Sequence, residues 1–96
     1  MDKSYILNTL TKQKDYLKKQ FEIEKIGLFG SYAQDKATED SDIDIYVEFK
    51  NKTFDNIAGL WVYLEELYNK KIDLIHFHKR ANKVILDNIK KEVVYG

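Results

Sequence analysis

The chain has 96 residues, 44% of them hydrophobic and 33% charged, with 16 basic and 16 acidic side chains and a formal net charge of zero. That size and composition fit one globular domain spanning residues 1–96 around a single small core and exclude disorder, while the balanced charge argues against direct nucleic-acid binding through bulk electrostatics. Cysteine is absent, which removes disulfides and thiolate metal sites; no run of about 20 apolar residues offers a membrane span and the start MDKSYILNTL lacks a signal-peptide core, so a cytoplasmic location with no membrane partner is expected.

From Asp2 to about Gln20, Tyr5, Ile6, Leu10, Tyr16 and Leu17 recur at helical intervals among lysines, which predicts an amphipathic helix with Lys12, Lys14, Lys18 and Lys19 on its solvated face. FEIEKIGLFG then turns to β-branched and aromatic residues and ends at glycine, a strand signal. SYAQDKATEDS is polar and turn-rich, with Ser31 placed to open a short helical turn. DIDIYVEF alternates strictly and predicts a second strand, closed by the turn KNK. Thr53 suits the N-cap of a helix from Phe54 to about Tyr68, with Phe54, Ile57, Leu60, Trp61, Leu64 and Leu67 at its intervals and Tyr63 and Tyr68 as candidates for an exposed, interface-forming pair. KKIDLIHF reads as a third strand. A last helix, from about Arg80 to Val94, places Val84, Ile85, Ile89 and Val93 on one face. This order predicts an α+β fold: a small mixed β-sheet with helices packed mainly on one face, leaving the other face free for a site.

Asp42 and Asp44 open the second strand. In extended chain, residues i and i+2 point to the same side, so the two carboxylates stand together and repel. Asp73 lies within the third strand between Ile72 and Leu74, where all three acids share a face if the strands are neighbours. Carboxylates in strand runs are costly unless paired or bound to a cation, and the strands offer no nearby base. Oxygen ligands select magnesium, manganese or calcium, and a pair of such ions about 3.5–4 Å apart is the usual clamp for phosphoryl and nucleotidyl transfer. Gly30-Ser31, a strand end turning into a helix start, offers backbone N–H groups to phosphate, and glycine allows close approach. His76 and His78 flank Phe77 on one side of the third strand; without a third nitrogen or thiolate ligand they read as ordinary strand-end histidines.

Gly30-Ser31, ten intervening residues and then Asp42-Ile43-Asp44 resemble the signature of the minimal nucleotidyltransferases, small members of the polymerase-β superfamily. KKIDLI is similar to the strand bearing that family's third carboxylate, here Asp73, and ILDNIKKEVVYG is similar to its last helix. The resemblance implies transfer of a nucleoside monophosphate, AMP from ATP, to a hydroxyl acceptor with two Mg²⁺ ions. It assigns Asp42, Asp44 and Asp73 as catalytic and metal-binding residues, and Gly30 and Ser31 as the cradle of the β- and γ-phosphates. It also implies a partner: such domains act as antitoxins that attach AMP to a tyrosine of a HEPN-type toxin. Where the family often shows Gly-Ser-Tyr/Phe-Ala-Arg-Gly, this chain has Gln34 and Asp35 in place of arginine and glycine. Lys36 is then expected to supply the missing positive charge at the triphosphate. The alternative is a binding module of the same fold that neutralises its partner by occlusion alone.

Overall fold

The computed structural model describes residues 1–76 and 82–96. Helix α1 (Lys3–Phe21) starts where the Asp2 carboxylate accepts the Tyr5 N–H at 2.9 Å, and it stops where Glu22 turns left-handed. Strand β1 (Ile23–Phe29), the single turn α2 (Gly30–Ala33) and strand β2 (Ile43–Phe49) follow. Helix α3 (Phe54–Tyr68) is capped by the Thr53 hydroxyl, which accepts the Asn56 N–H, and ends at left-handed Asn69. Strand β3 (Ile72–Ile75), helix α4 (Lys83–Glu92) and strand β4 (Val94–Tyr95) complete the described chain.

The sheet order is β3-β2-β1-β4, with β1 antiparallel to both β2 and β4, and β2 parallel to β3. A parallel pair needs a crossover, and α3 supplies it. Two side chains of α3 seat β3: Glu65 accepts the Ile72 N–H at 3.1 Å, and the Trp61 indole N–H donates to the Ile72 carbonyl at 2.8 Å. The core lies between the sheet and α1 with α3. Ile6, Leu10, Leu17, Leu60 and Leu64 from the helices meet Ile26, Leu28, Ile43, Ile45, Val47, Ile72 and Leu74 from the strands, all buried. Period-two alternation therefore sends Asp44 and Asp73 to the opposite face. A one-residue slip of β3 would drive Asp73 into that core, so burial of Ile72 and Leu74 selects the register.

The α+β reading with a mixed sheet is borne out, and several boundaries are corrected. Phe21 closes α1 instead of opening β1, because its ring is buried in the helix–sheet core. The third strand is four residues long, since Asn69 caps α3 and Lys70 turns away to another loop. Phe77, His78 and Arg80 lie outside the described residues. The last helix ends at Glu92, and Val94–Tyr95 form a short strand on β1, a pairing too brief to leave an alternation in the sequence. Val84 and Ile85 of α4 are exposed, not packed. Tyr68, a candidate for the exposed surface, is buried with its hydroxyl donating to the Ile6 carbonyl at 2.9 Å; Tyr63 is half-buried with its hydroxyl donating to Gln13.

Candidate active site

Asp44 is the second residue of β2, and Asp73 the second of β3. Parallel pairing puts them in direct register, Asp44 beside Asp73, while Phe29 at the end of β1 is paired with Asp44 on its other side. Asp42 stands two residues before Asp44, just ahead of the strand, and is exposed like Asp73; Asp44 is half-buried between them. The three carboxylates share one end of the sheet face opposite the helix-covered core. Their proximity is visible in the electrostatics of Asp44, whose pKa rises from 3.8 to about 6. Burial is the largest cause, followed by the negative charges of Asp73 and Asp42 and a hydrogen bond to Asp73 that favours the protonated form. Among the described residues, no ion pair reaches any of the three.

Gly30 closes the site from the β1 side. Its φ is +75°, and a methyl group at this position would run into the Asp44 carboxylate, so the residue must be glycine both for its backbone and for the space it leaves. Ser31 follows it within α2. The Gln34 and Lys36 N–H groups bond back to the Gly30 and Ser31 carbonyls at 3.1 and 2.9 Å, folding the segment into a compact turn. Asp35 adopts φ +57° in that turn. This explains the glycine common at the position: the left-handed conformation suits glycine, and aspartate is among the few other residues that tolerate it. Gln34, Asp35 and Lys36 are all exposed.

The donor set fits a hard divalent cation on one observation. The Asp44 charge is disfavoured first by burial and then by its acidic neighbours Asp73 and Asp42, and a cation between the carboxylates would relieve it. Among the described residues, no three acidic or histidine side chains close a metal cage by themselves. That is compatible with magnesium, which keeps water ligands and is held by one or two carboxylates together with substrate phosphates. His76 is not part of this cluster. Its ring stands edge-on to Phe49 on the core side of the sheet, and burial lowers its pKa. His78 lies outside the described residues.

Residues 11–96 match the family described as polymerase beta, nucleotidyltransferase. The chain belongs to that nucleotidyltransferase family. It is 38% identical over 95 residues to a Methanocaldococcus jannaschii protein provisionally named a protein adenylyltransferase, covering 96% of this chain and 95% of the relative. It is 36% identical over 91 residues to protein adenylyltransferase MntA of Thermococcus cleftensis, covering 94% and 91%. A solved structure described provisionally as a minimal nucleotidyltransferase superposes with a TM-score of 0.74 at 26% identity, over 98% of this chain and 95% of that one. A crystal structure described as a toxin–antitoxin with AMP-PNP superposes with a TM-score of 0.66 at 28% identity, over 88% and 69%. The resemblance read from the Gly-Ser and Asp-x-Asp motif is thus borne out at the level of family, fold and enzyme class. No helix of the described residues is long and apolar enough to cross a membrane.

One element of the site has no counterpart in the sequence reading. Lys70 donates from its ammonium group to the Glu39 carbonyl at 2.6 Å, across 31 residues of sequence. A lysine after a helix cap carries no local signal of such a bond.

Proposed function

We propose that this protein is a magnesium-dependent adenylyltransferase that moves AMP from ATP to a tyrosine hydroxyl of a HEPN-type toxin, and so acts as its antitoxin. The observation that carries the proposal is the in-register pair Asp44 and Asp73, crowded by Asp42 and roofed by Gly30. The relatives named protein adenylyltransferase and the toxin–antitoxin neighbour support the acceptor and partner class.

In this reading Asp42, Asp44 and Asp73 hold two Mg²⁺ ions. When bound, these supply the positive charge that offsets the triphosphate and the departing pyrophosphate. Asp44 must be ionised to take part, and its half-buried position makes it the carboxylate most altered by a cation. Gly30 lets the triphosphate pass close to the backbone, and the Ser31 N–H and hydroxyl donate to its β- and γ-phosphate oxygens. Asp73 is exposed beside Asp44, open to an incoming hydroxyl, and accepts the acceptor's proton. The acceptor oxygen then bonds to the α-phosphorus as the bond to the α–β bridging oxygen breaks. Lys36, exposed at the end of the turn, contributes charge toward the triphosphate in place of the arginine that Gln34 replaces.

The absence of that arginine favours one second reading, neutralisation by occlusion with little or no transfer. Both readings meet in one experiment. The protein and its HEPN-type partner are incubated with α-labelled ATP and MgCl₂, alongside the Asp42→Asn/Asp44→Asn double variant. Label on a partner tyrosine with the wild type, lost with the variant together with neutralisation, is the expected result. A folded variant that neutralises as well as wild type would reject the catalytic reading.

A further inference from the structure

Two of the three site carboxylates are placed by the strand ladder, but Asp42 is not. Asp44 and Asp73 sit inside the β2–β3 pairing, whereas Asp42 precedes it, exposed, at the end of the loop that joins α2 to β2. That loop meets the packed core through half-buried Ala37, while Thr38, Glu39 and Asp40 beyond it are exposed. It borders an open cavity of about 560 Å³ whose wall includes Tyr32, Thr38, Glu39 and Lys70. Inside the loop, the Thr38 N–H donates to the Ser41 hydroxyl at 2.9 Å, and the Ser41 N–H donates to the Thr38 carbonyl at 3.1 Å. These bonds shape the loop without attaching it to anything.

Beyond Ala37, among the described residues, two side chains from outside the loop hold it by hydrogen bonds. The Tyr32 hydroxyl reaches the Thr38 carbonyl at 3.5 Å, at the outer limit of a hydrogen bond, while the Lys70 ammonium reaches the Glu39 carbonyl at 2.6 Å, a short charge-assisted contact. Glu39 stands three residues before Asp42, and Lys70 three residues before Asp73. One residue beyond Lys70, the Lys71 carbonyl accepts the Ile43 N–H at 3.1 Å and begins the ladder. Lys70 therefore ties the lead-in of β2 to the lead-in of β3 just where backbone pairing has not yet started.

We infer that Lys70 is a positioning residue: its bond to the Glu39 carbonyl holds the loop so that Asp42 faces Asp44 and Asp73. The inference rests on the catalytic reading only for its kinetic consequence, not for the loop itself.

The test uses Lys70→Met, which keeps the aliphatic stem and removes the donor, and Lys70→Arg, which restores a donor of similar reach. Amide hydrogen exchange is followed at Thr38, Ser41 and Ile43 in the metal-free protein, and transfer from α-labelled ATP is followed with the partner present. In Lys70→Met the three amides should exchange several-fold faster, while amides of the α1 core keep wild-type protection. Its kcat should fall about tenfold, the order expected when one metal-binding group is slightly misplaced, with KM for ATP changed less than kcat. Lys70→Arg should return both readouts toward wild type. Unchanged loop exchange in Lys70→Met overturns the inference, and so does an equal loss of kcat in Lys70→Met and Lys70→Arg. If the wild type transfers nothing, the catalytic reading fails, and the exchange measurement alone decides the role of Lys70.

Discussion

At pH 8 without divalent ions, Asp44 is charged, half-buried and faced by two further carboxylates, so the folded state holds a charge that the unfolded chain would hydrate freely. Asp44→Asn removes that charge and keeps a side chain able to bond with Asp73. A rise from 3.8 to about 6 corresponds to roughly 3 kcal/mol at about 1.4 kcal/mol per pH unit. Asp44 keeps substantial contact with water, which screens its neighbours, so the expected gain in stability is nearer 1 kcal/mol. For a domain of this size that is about 4–8 °C in Tm. The sign follows from linkage: the folded state holds the Asp44 proton more tightly than the unfolded state. The resulting stabilisation is complete below pH 3.8 and is lost as pH rises through about 6. Thermal unfolding followed by circular dichroism in EDTA should therefore give a higher Tm for Asp44→Asn at pH 8 and nearly equal values at pH 4. High salt should shrink the gap. With MgCl₂ and ATP the order should reverse, because only the wild type gains binding energy. A variant that melts at or below wild type in EDTA at pH 8 would refute the claim that the carboxylates repel at the heart of the site.

Gly30→Ala should cost about 1–3 kcal/mol in urea unfolding, since it combines a left-handed backbone with a collision against the Asp44 carboxylate. Transfer activity should fall in parallel. Asp35→Gly should be neutral or stabilise by up to about 1 kcal/mol, whereas Asp35→Val should destabilise, because a β-branched side chain resists φ +57°; equal stabilities would show that the backbone conformation is not the constraint. Tyr68→Phe should lose about 1 kcal/mol, the net value of its buried bond to the Ile6 carbonyl, with no effect on ATP binding.

What could be read from the sequence was local. The strict alternation of DIDIYVEF announced a strand with one apolar side, and burial of Ile43, Ile45 and Val47 put Asp44 on the other. Thr53 signalled a cap because its hydroxyl has only three residues to reach. The Gly-Ser and Asp-x-Asp spacing named a family whose membership stands. Tertiary structure decided what depends on distant partners. Whether Asp73 meets Asp44 is set by parallel pairing of β2 with β3, which α3 enforces through Glu65 and Trp61 across the intervening chain. The outward side of α4, the burial of Tyr68 and the two-residue β4 follow from which surfaces remain to be covered, and periodicity alone carries no information about that. The bond from Lys70 to the Glu39 carbonyl is of the same kind. Hydrophobic pattern specifies which side of an element turns inward, whereas only the assembled chain specifies which elements those sides meet.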